Sequence, residues 1–205
     1  MHECEPRYPE TLFDDLAQQG WAVLEQALPL KVPGALRALA LLKWQTGLFH
    51  PARVGHSRSP ALAPAIRGDA ICWLGHDDEE PPVRALFEWS MGLRLELNRR
   101  FYLGLRSDEF HFARYDAGRG YSLHVDQHRD APHRKISIVL YLNEDWNEED
   151  CGALCLYTNV VAAAPMRRIL PHSGRTVVFR SDTVPHEVRP GRRIRWSVAG
   201  WLRTD

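Results

Sequence analysis

Most of the second half of this chain is punctuated too often to fold as helices. Residues 109–115, 121–125, 136–142, 153–157, 176–179, 187–189 and 193–202 are short runs rich in β-branched and aromatic residues. Turn clusters such as DAGRG, NEDWNEEDCG, PHSG and RPGR separate them. Each run is strand-length, and many short strands at this spacing bury their apolar faces only by stacking into a sandwich or closing into a barrel. An antiparallel double sheet of jelly-roll type is therefore expected from residue 107 onward.

The first half has a different period. Residues 11–19 read as a short helix stopped by Gly20, and residues 21–24 as a strand. Leu36, Leu39, Ala40, Leu42 and Trp44 suit a largely buried helix over 36–45, and a strand resumes at 71–74. HDDEEPP announces a long helix over 82–101, with acidic residues in its first turn and Pro82 near its start. Val83, Leu86, Phe87, Met91, Leu95 and Leu97 give it one apolar face. The segment 51–64, dominated by Pro, Gly, Ser and Arg, is expected to be a mobile loop or an irregular hairpin, and a candidate lid. The expected class is thus α+β, with N-terminal helices packed on one face of the jelly roll. One domain spans 1–205, divided into helical support (1–106) and a catalytic core (107–205).

Composition removes several classes. Lys plus Arg and Asp plus Glu both number 26, so no global field draws nucleic acid or an anionic membrane. The apolar runs are shorter than a membrane span, and MHECEPRYPE is unlike a secretory leader. Cys4, Cys72, Cys151 and Cys155 lack CxxC spacing; reduced thiols in the cytoplasm are expected, and Cys151 with Cys155 lacks a second pair to complete a zinc site.

Chemistry concentrates on a few residues. In HVD, His124 and Asp126 stand two apart, so on a strand both point to one face. That pair alone defines nothing, but His186 in VPHEV supplies a third ligand. Two imidazoles and a carboxylate on one side of an ion leave three positions open, the arrangement of non-haem Fe(II) oxygenases; a 2-oxo acid takes two of them and O₂ the third. Arg195 follows beyond the PGR turn, where an antiparallel partner brings it back toward the metal. A planar guanidinium is the natural counter-ion for the far carboxylate of 2-oxoglutarate. Tyr141 can add a phenolic hydrogen bond there, and Ser137 lies on the same strand at an even offset. Because Asp126 fills the carboxylate position, hydroxylation is favoured over halogenation.

At these residues the chain resembles the prolyl-hydroxylase-domain family of 2-oxoglutarate oxygenases. The resemblance rests on HFARY, GYSLHVD, IVLYLNEDWNEEDCGAL, PHEV and the strand from Arg195 to Trp201. IRGDAICWL at 66–74 further resembles the short bacterial members. It implies a double-stranded β-helix flanked by helices, with iron bound by His124, Asp126 and His186 and 2-oxoglutarate held by Arg195 and Tyr141. It places Leu154 beside the co-substrate, lines the pocket with Tyr115 and Trp201, and brings Arg134 near the substrate. Ser137 stands where the human oxygen-sensing members have threonine, and 51–64 takes the place of the mobile finger loop with a different sequence.

The implied reaction is hydroxylation with release of succinate and CO₂, using Fe(II), 2-oxoglutarate and O₂, with ascorbate as an accessory reductant. The resemblance to short bacterial members makes a prolyl residue of elongation factor Tu the leading substrate. The same chemistry on a free amino acid, small metabolite or nucleobase is an alternative, the nucleobase branch being disfavoured by the neutral charge. A non-catalytic metal-binding sensor module is a third reading.

Overall fold

The computed structural model describes residues 8–53, 63, 66–127 and 132–205. Helix α1 (Glu10–Gln19) buries Leu12, Phe13 and Leu16 and ends at Gly20. Gly20 has φ +80°, which glycine adopts without steric cost, and its N–H donates to the Leu16 carbonyl. Helix α2 (Lys31–Gln45) starts five residues before the expected 36, since Pro33 sits in the first turn, where a missing N–H costs nothing. Leu36, Leu39 and Ala40 are buried, whereas Leu42 and Trp44 are 55% and 38% exposed, so the helix is half-buried, not largely buried.

Helix α3 (Pro81–Phe101) carries prolines at its first two positions, while the acidic run precedes it, with Glu80 as N-cap, and none lies in the first turn. It buries Val83, Leu86, Phe87, Ser90, Leu93 and Leu97. Met91 and Leu95, expected on that face, are exposed. At about 100° per residue they lie roughly 120° and 160° around the helix from Leu97. No helix among the described residues is long and apolar enough to cross a membrane.

The strands are β1 (Trp21–Leu24), β2 (His50–Pro51), β3 (Asp69–Leu74), β4 (Ser107–Tyr115), β5 (Tyr121–His124), β6 (Arg134–Tyr141), β7 (Leu154–Leu156), β8 (Arg167–Ile169), β9 (Thr176–Arg180), β10 (His186–Val188) and β11 (Arg195–Arg203). They form two facing sheets, a larger one ordered β1-β9-β6-β11-β4-β3-β2 and a smaller one ordered β5-β10-β7-β8. Every named pair is antiparallel, the jelly-roll arrangement expected. Strand β8 was not expected: it has three residues, two of them exposed arginines, and shows no apolar alternation. Conversely β1 and β3, from the helical half, extend the large sheet on both sides.

Alternation along the central strands divides two apolar layers. Phe110, Phe112, Ile136, Ile138, Leu140, Trp196, Val198 and Leu202 face the helices. Ala113, Tyr115, Tyr141, Val177 and Phe179 face the smaller sheet with Leu154, Leu156 and Val188. Gly200 is required by the first layer: a Cβ there would lie 2.1 Å from the Phe110 ring and 2.4 Å from the Glu109 carbonyl. Asn143 locks the end of β6 to β11. Its amide accepts from the Trp196 N–H at 2.7 Å and donates to the Trp196 and Pro171 carbonyls at 2.9 Å.

Candidate metal centre and co-substrate pocket

Between the sheets lies a cavity of about 660 Å³. The floor follows from register. On the inner face of the large sheet, Asp69, Tyr115 and Arg195 form one cross-strand row, and Ile71, Ala113, Ser197 and Tyr141 the next. Then come Trp73, His111, Ala199 and Val139, followed by Glu109, Trp201 and Ser137. Arg195 therefore lies at one end of the floor and Trp201 at the other.

The three expected ligands converge from the opposite sheet. His186, the first residue of β10, pairs directly with His124, the last of β5, and their ring centroids are 4.2 Å apart. Asp126 follows on the turn leaving β5. Its carboxylate oxygens are 3.5 Å from His124 Nε2 and 3.8 Å from His186 Nε2. One donor atom from each residue falls within 4.8 Å of the other two, a group suited to hold a metal ion. Both imidazoles are oriented alike: Nδ1 of His124 donates to the Ser122 carbonyl at 2.7 Å, and Nδ1 of His186 to that of Val184 at 3.1 Å. A carbonyl only accepts, so each Nδ1 carries the proton and each Nε2 presents its lone pair to the centre.

Electrostatics favour the ligating forms of Asp126 and His186. Burial by itself raises the Asp126 carboxyl, but the His186 and His124 rings and the Ser137 hydroxyl outweigh it and hold it well below the usual carboxylate range. Ser137 Oγ donates to Asp126 at 2.7 Å and lies 2.8 Å from the buried Ser181 hydroxyl. Burial, reinforced by His124 and opposed by Asp126, takes His186 down to about 4, so its imidazole is neutral at physiological pH.

Arg195 is 2% exposed and makes no ion pair among the described residues. Its Nε and Nη2 have no hydrogen-bond partner, and Nη1 reaches only Ser197 Oγ at 3.5 Å. Tyr141, fully buried beside it, has no other partner for its hydroxyl among the described residues. Burial, partly offset by Arg195, pushes that phenol up to about 12, so it remains a neutral donor. A buried, permanently charged guanidinium with free donors is costly unless an anion joins it. Together with the metal-binding group, it fits a ligand that chelates at one end and bears a carboxylate at the other. The 2-oxoglutarate and metal expected from the sequence therefore match the donors present.

Tyr141, fully buried, is not among the residues that line this cavity, whereas Leu154 from β7, Tyr115 beneath Arg195, Ser137, and at the far end Trp201 and Arg134 do line it. Arg134 is ion-paired to Glu109 at 2.8 Å, with its guanidinium carbon 3.5 Å from the Trp201 ring centroid. Of the expected finger loop, residues 54–62 and 64 lie outside the described residues, whereas Pro51 ends β2 and Pro51 and Arg53 line the cavity.

Several lining residues were missed from sequence. Tyr121 stacks on the His124 ring, centroids 3.7 Å apart, beneath the Arg67 guanidinium that buried Asp69 holds at 2.8 Å. His111 and Trp73 were missed as well, as was Ser181, which lies behind the lining as a hydrogen-bond neighbour of Ser137. The alternation of HFARY, which puts His111 on the face of Tyr115, was the available signal for one of them.

The profile of the 2OG-Fe(II) oxygenase superfamily matches residues 110–203. No curated protein matches by sequence. Among solved structures, a Pseudomonas putida prolyl-4-hydroxylase is similar at 35% identity and TM-score 0.83, over 95% of this chain and 98% of that one. A Trichoplax adhaerens prolyl hydroxylase, in complex with a hypoxia inducible factor oxygen degradation domain peptide fragment, is 27% identical with TM-score 0.82, over 95% and 88%. A prolyl 4-hydroxylase from Phytophthora capsici, 23% identical with TM-score 0.74 over 98% and 67%, shares the fold. The paired His124 and His186, the neighbouring Asp126 and the buried Arg195 thus sit in a frame shared with prolyl hydroxylases, and the chain belongs to the 2OG-Fe(II) oxygenase superfamily as a prolyl-hydroxylase-like, 2-oxoglutarate-dependent dioxygenase.

Proposed function

We propose that this dioxygenase hydroxylates a prolyl residue of a protein, with elongation factor Tu as the leading candidate. The observation that carries the reading is likeness to a bacterial prolyl-4-hydroxylase along 95% of a chain that itself brings a metal-binding group and a buried Arg195 to one cavity. A cavity whose far end is walled by Trp73, His111 and Trp201 supports it, because a pyrrolidine ring packs well on aromatic faces. The elongation factor is favoured by the likeness of IRGDAICWL to the short bacterial members.

In this reading His124, Asp126 and His186 hold Fe(II), and Arg195 with Tyr141 receives the distal carboxylate of 2-oxoglutarate. Bound iron, 2-oxoglutarate and O₂ supply the oxidising power that turns a C–H bond into C–OH, leaving succinate and CO₂. The chain supplies placement. The carbonyls of Ser122 and Val184 aim the two imidazoles, and Ser137 fixes one carboxylate oxygen of Asp126. Tyr115 and Leu154 line the same cavity and would pack against the co-substrate. Trp201 and Arg134 shape the substrate end.

The test is mass spectrometry of elongation factor Tu after incubation with the protein, Fe(II) and 2-oxoglutarate. One added oxygen on a proline is expected. An unmodified factor, under conditions where succinate forms with free proline or another small molecule, overturns the protein substrate in favour of a small one.

A further inference from the structure

His111 is only 1% exposed and lines the cavity, yet its Nδ1 has no hydrogen-bond partner. It stands in the third row of the floor, paired with Trp73 on one side and with Ala199 on the other. The Trp73 ring meets it edge-on, centroids 4.9 Å apart, and the Trp201 indole lies 5.4 Å away at 31°. The small Ala199 between His111 and Val139 leaves open space over the sheet. Trp201 Nε1 is likewise buried and unpaired. Two adjacent rings that line one cavity thus each leave a buried nitrogen unpaired among the described residues, and each is costly to leave unmet.

The chemistry of the pair selects its ligand. Indole N–H only donates, while a neutral imidazole has one donor and one acceptor nitrogen. Burial, with Arg67 and Arg134 nearby, takes the His111 imidazolium down to about 3, so the ring is neutral wherever the enzyme works. In the tautomer that leaves Nδ1 unprotonated, one acceptor and one donor side by side match the N–H and C=O of a peptide group. They do not match a carboxylate, and Arg134, the adjacent cation, is already held by Glu109.

We infer that His111 and Trp201 form a main-chain reading subsite, in which His111 accepts a peptide N–H flanking the target residue and Trp201 Nε1 donates to a peptide carbonyl. This rests on the proposal that the substrate is a polypeptide, and it makes His111 a specificity residue that ignores side-chain identity at the position it reads.

The experiment measures binding of a blocked Ala-Ala-Pro-Ala-Ala peptide to anaerobic protein loaded with Mn(II) and 2-oxoglutarate. It compares wild type, His111→Leu and His111→Asn, whose amide puts a polar atom at the Nδ1 position; a thermal melt with and without 2-oxoglutarate checks the fold of each. His111→Leu should weaken peptide binding about tenfold or more, and His111→Asn should restore most of it. Replacing the flanking amides by esters, one at a time, should cost wild type a similar factor at one position and His111→Leu nothing there. Equal binding by wild type and His111→Leu overturns the subsite, as does an asparagine variant no better than leucine. Hydroxylation of elongation factor Tu with the same KM in wild type and His111→Leu sinks the subsite and leaves the protein-substrate reading intact. Peptide binding through His111 without hydroxylation of any protein proline does the reverse.

Discussion

Replacing Arg195 by methionine separates a co-substrate anchor from a structural arginine. The guanidinium is buried, with Nε and Nη2 unpaired, and the Tyr141 hydroxyl beside it has no other partner among the described residues. If its partner is the distal carboxylate of 2-oxoglutarate, losing one member of a buried, hydrogen-bonded charge pair costs about 3 kcal/mol, or about a hundredfold in affinity. At a concentration about 100 times the wild-type Kd, the ligand stabilises wild type by about 2.7 kcal/mol and the variant by only about 0.4 kcal/mol. For a domain of this size the difference is roughly 5–9 °C in the ligand-induced rise in Tm. Without ligand the sign differs. Methionine removes a buried charge that has no counter-ion, so the Tm of the Mn(II)-loaded variant alone should not fall. The assay is a thermal melt of both proteins with Mn(II), with and without 2-oxoglutarate, and without oxygen. A variant with an undiminished ligand shift, or one that melts several degrees lower without ligand, would refute the reasoning.

Three further outcomes are expected. His124→Ala should lose stoichiometric metal, read by elemental analysis after gel filtration, and with it iron-dependent succinate formation, because two remaining ligands hold the ion poorly. Holding His111 at about 3 instead of 6.5 makes the unfolded chain bind the extra proton between those values. That contribution to stability is complete above about pH 6.5 and is lost as pH falls toward 3, with a slope up to about 1.4 kcal/mol per pH unit. Urea unfolding of His111→Leu from pH 7 to 4 should show a shallower loss than wild type, and parallel curves would contradict a neutral buried imidazole. Asn143→Ala strips three hydrogen bonds from the buried corner of β6 and β11 and should destabilise by about 2–5 kcal/mol in the same assay.

Much of this molecule is local information. The alternation and turn spacing after residue 107 are enough for an antiparallel double sheet, because side-chain period and strand length are properties of a few consecutive residues. The two-residue step from His124 to Asp126 likewise places both on one face without knowledge of the rest of the chain. His186 and Arg195 were legible as residue types in order, supported by the family motifs.

What the tertiary structure decided depends on residues far apart in sequence. Opposition of His186 and His124 comes from the register of β10 on β5, which sets donor atoms from distant segments within 4.8 Å. Met91 and Leu95 look as apolar as Leu97, but only the packing direction of α3 exposes them. Arg195 stands in the basic run RPGRRIR like any strand arginine, and His111 looks like any core histidine. Only the packed fold, by burying both and leaving nitrogens of each without partners among the described residues, sets the two apart from solvated or satisfied side chains. An unmet hydrogen bond is a relation between a group and its surroundings, and those surroundings exist only once the sheets have closed.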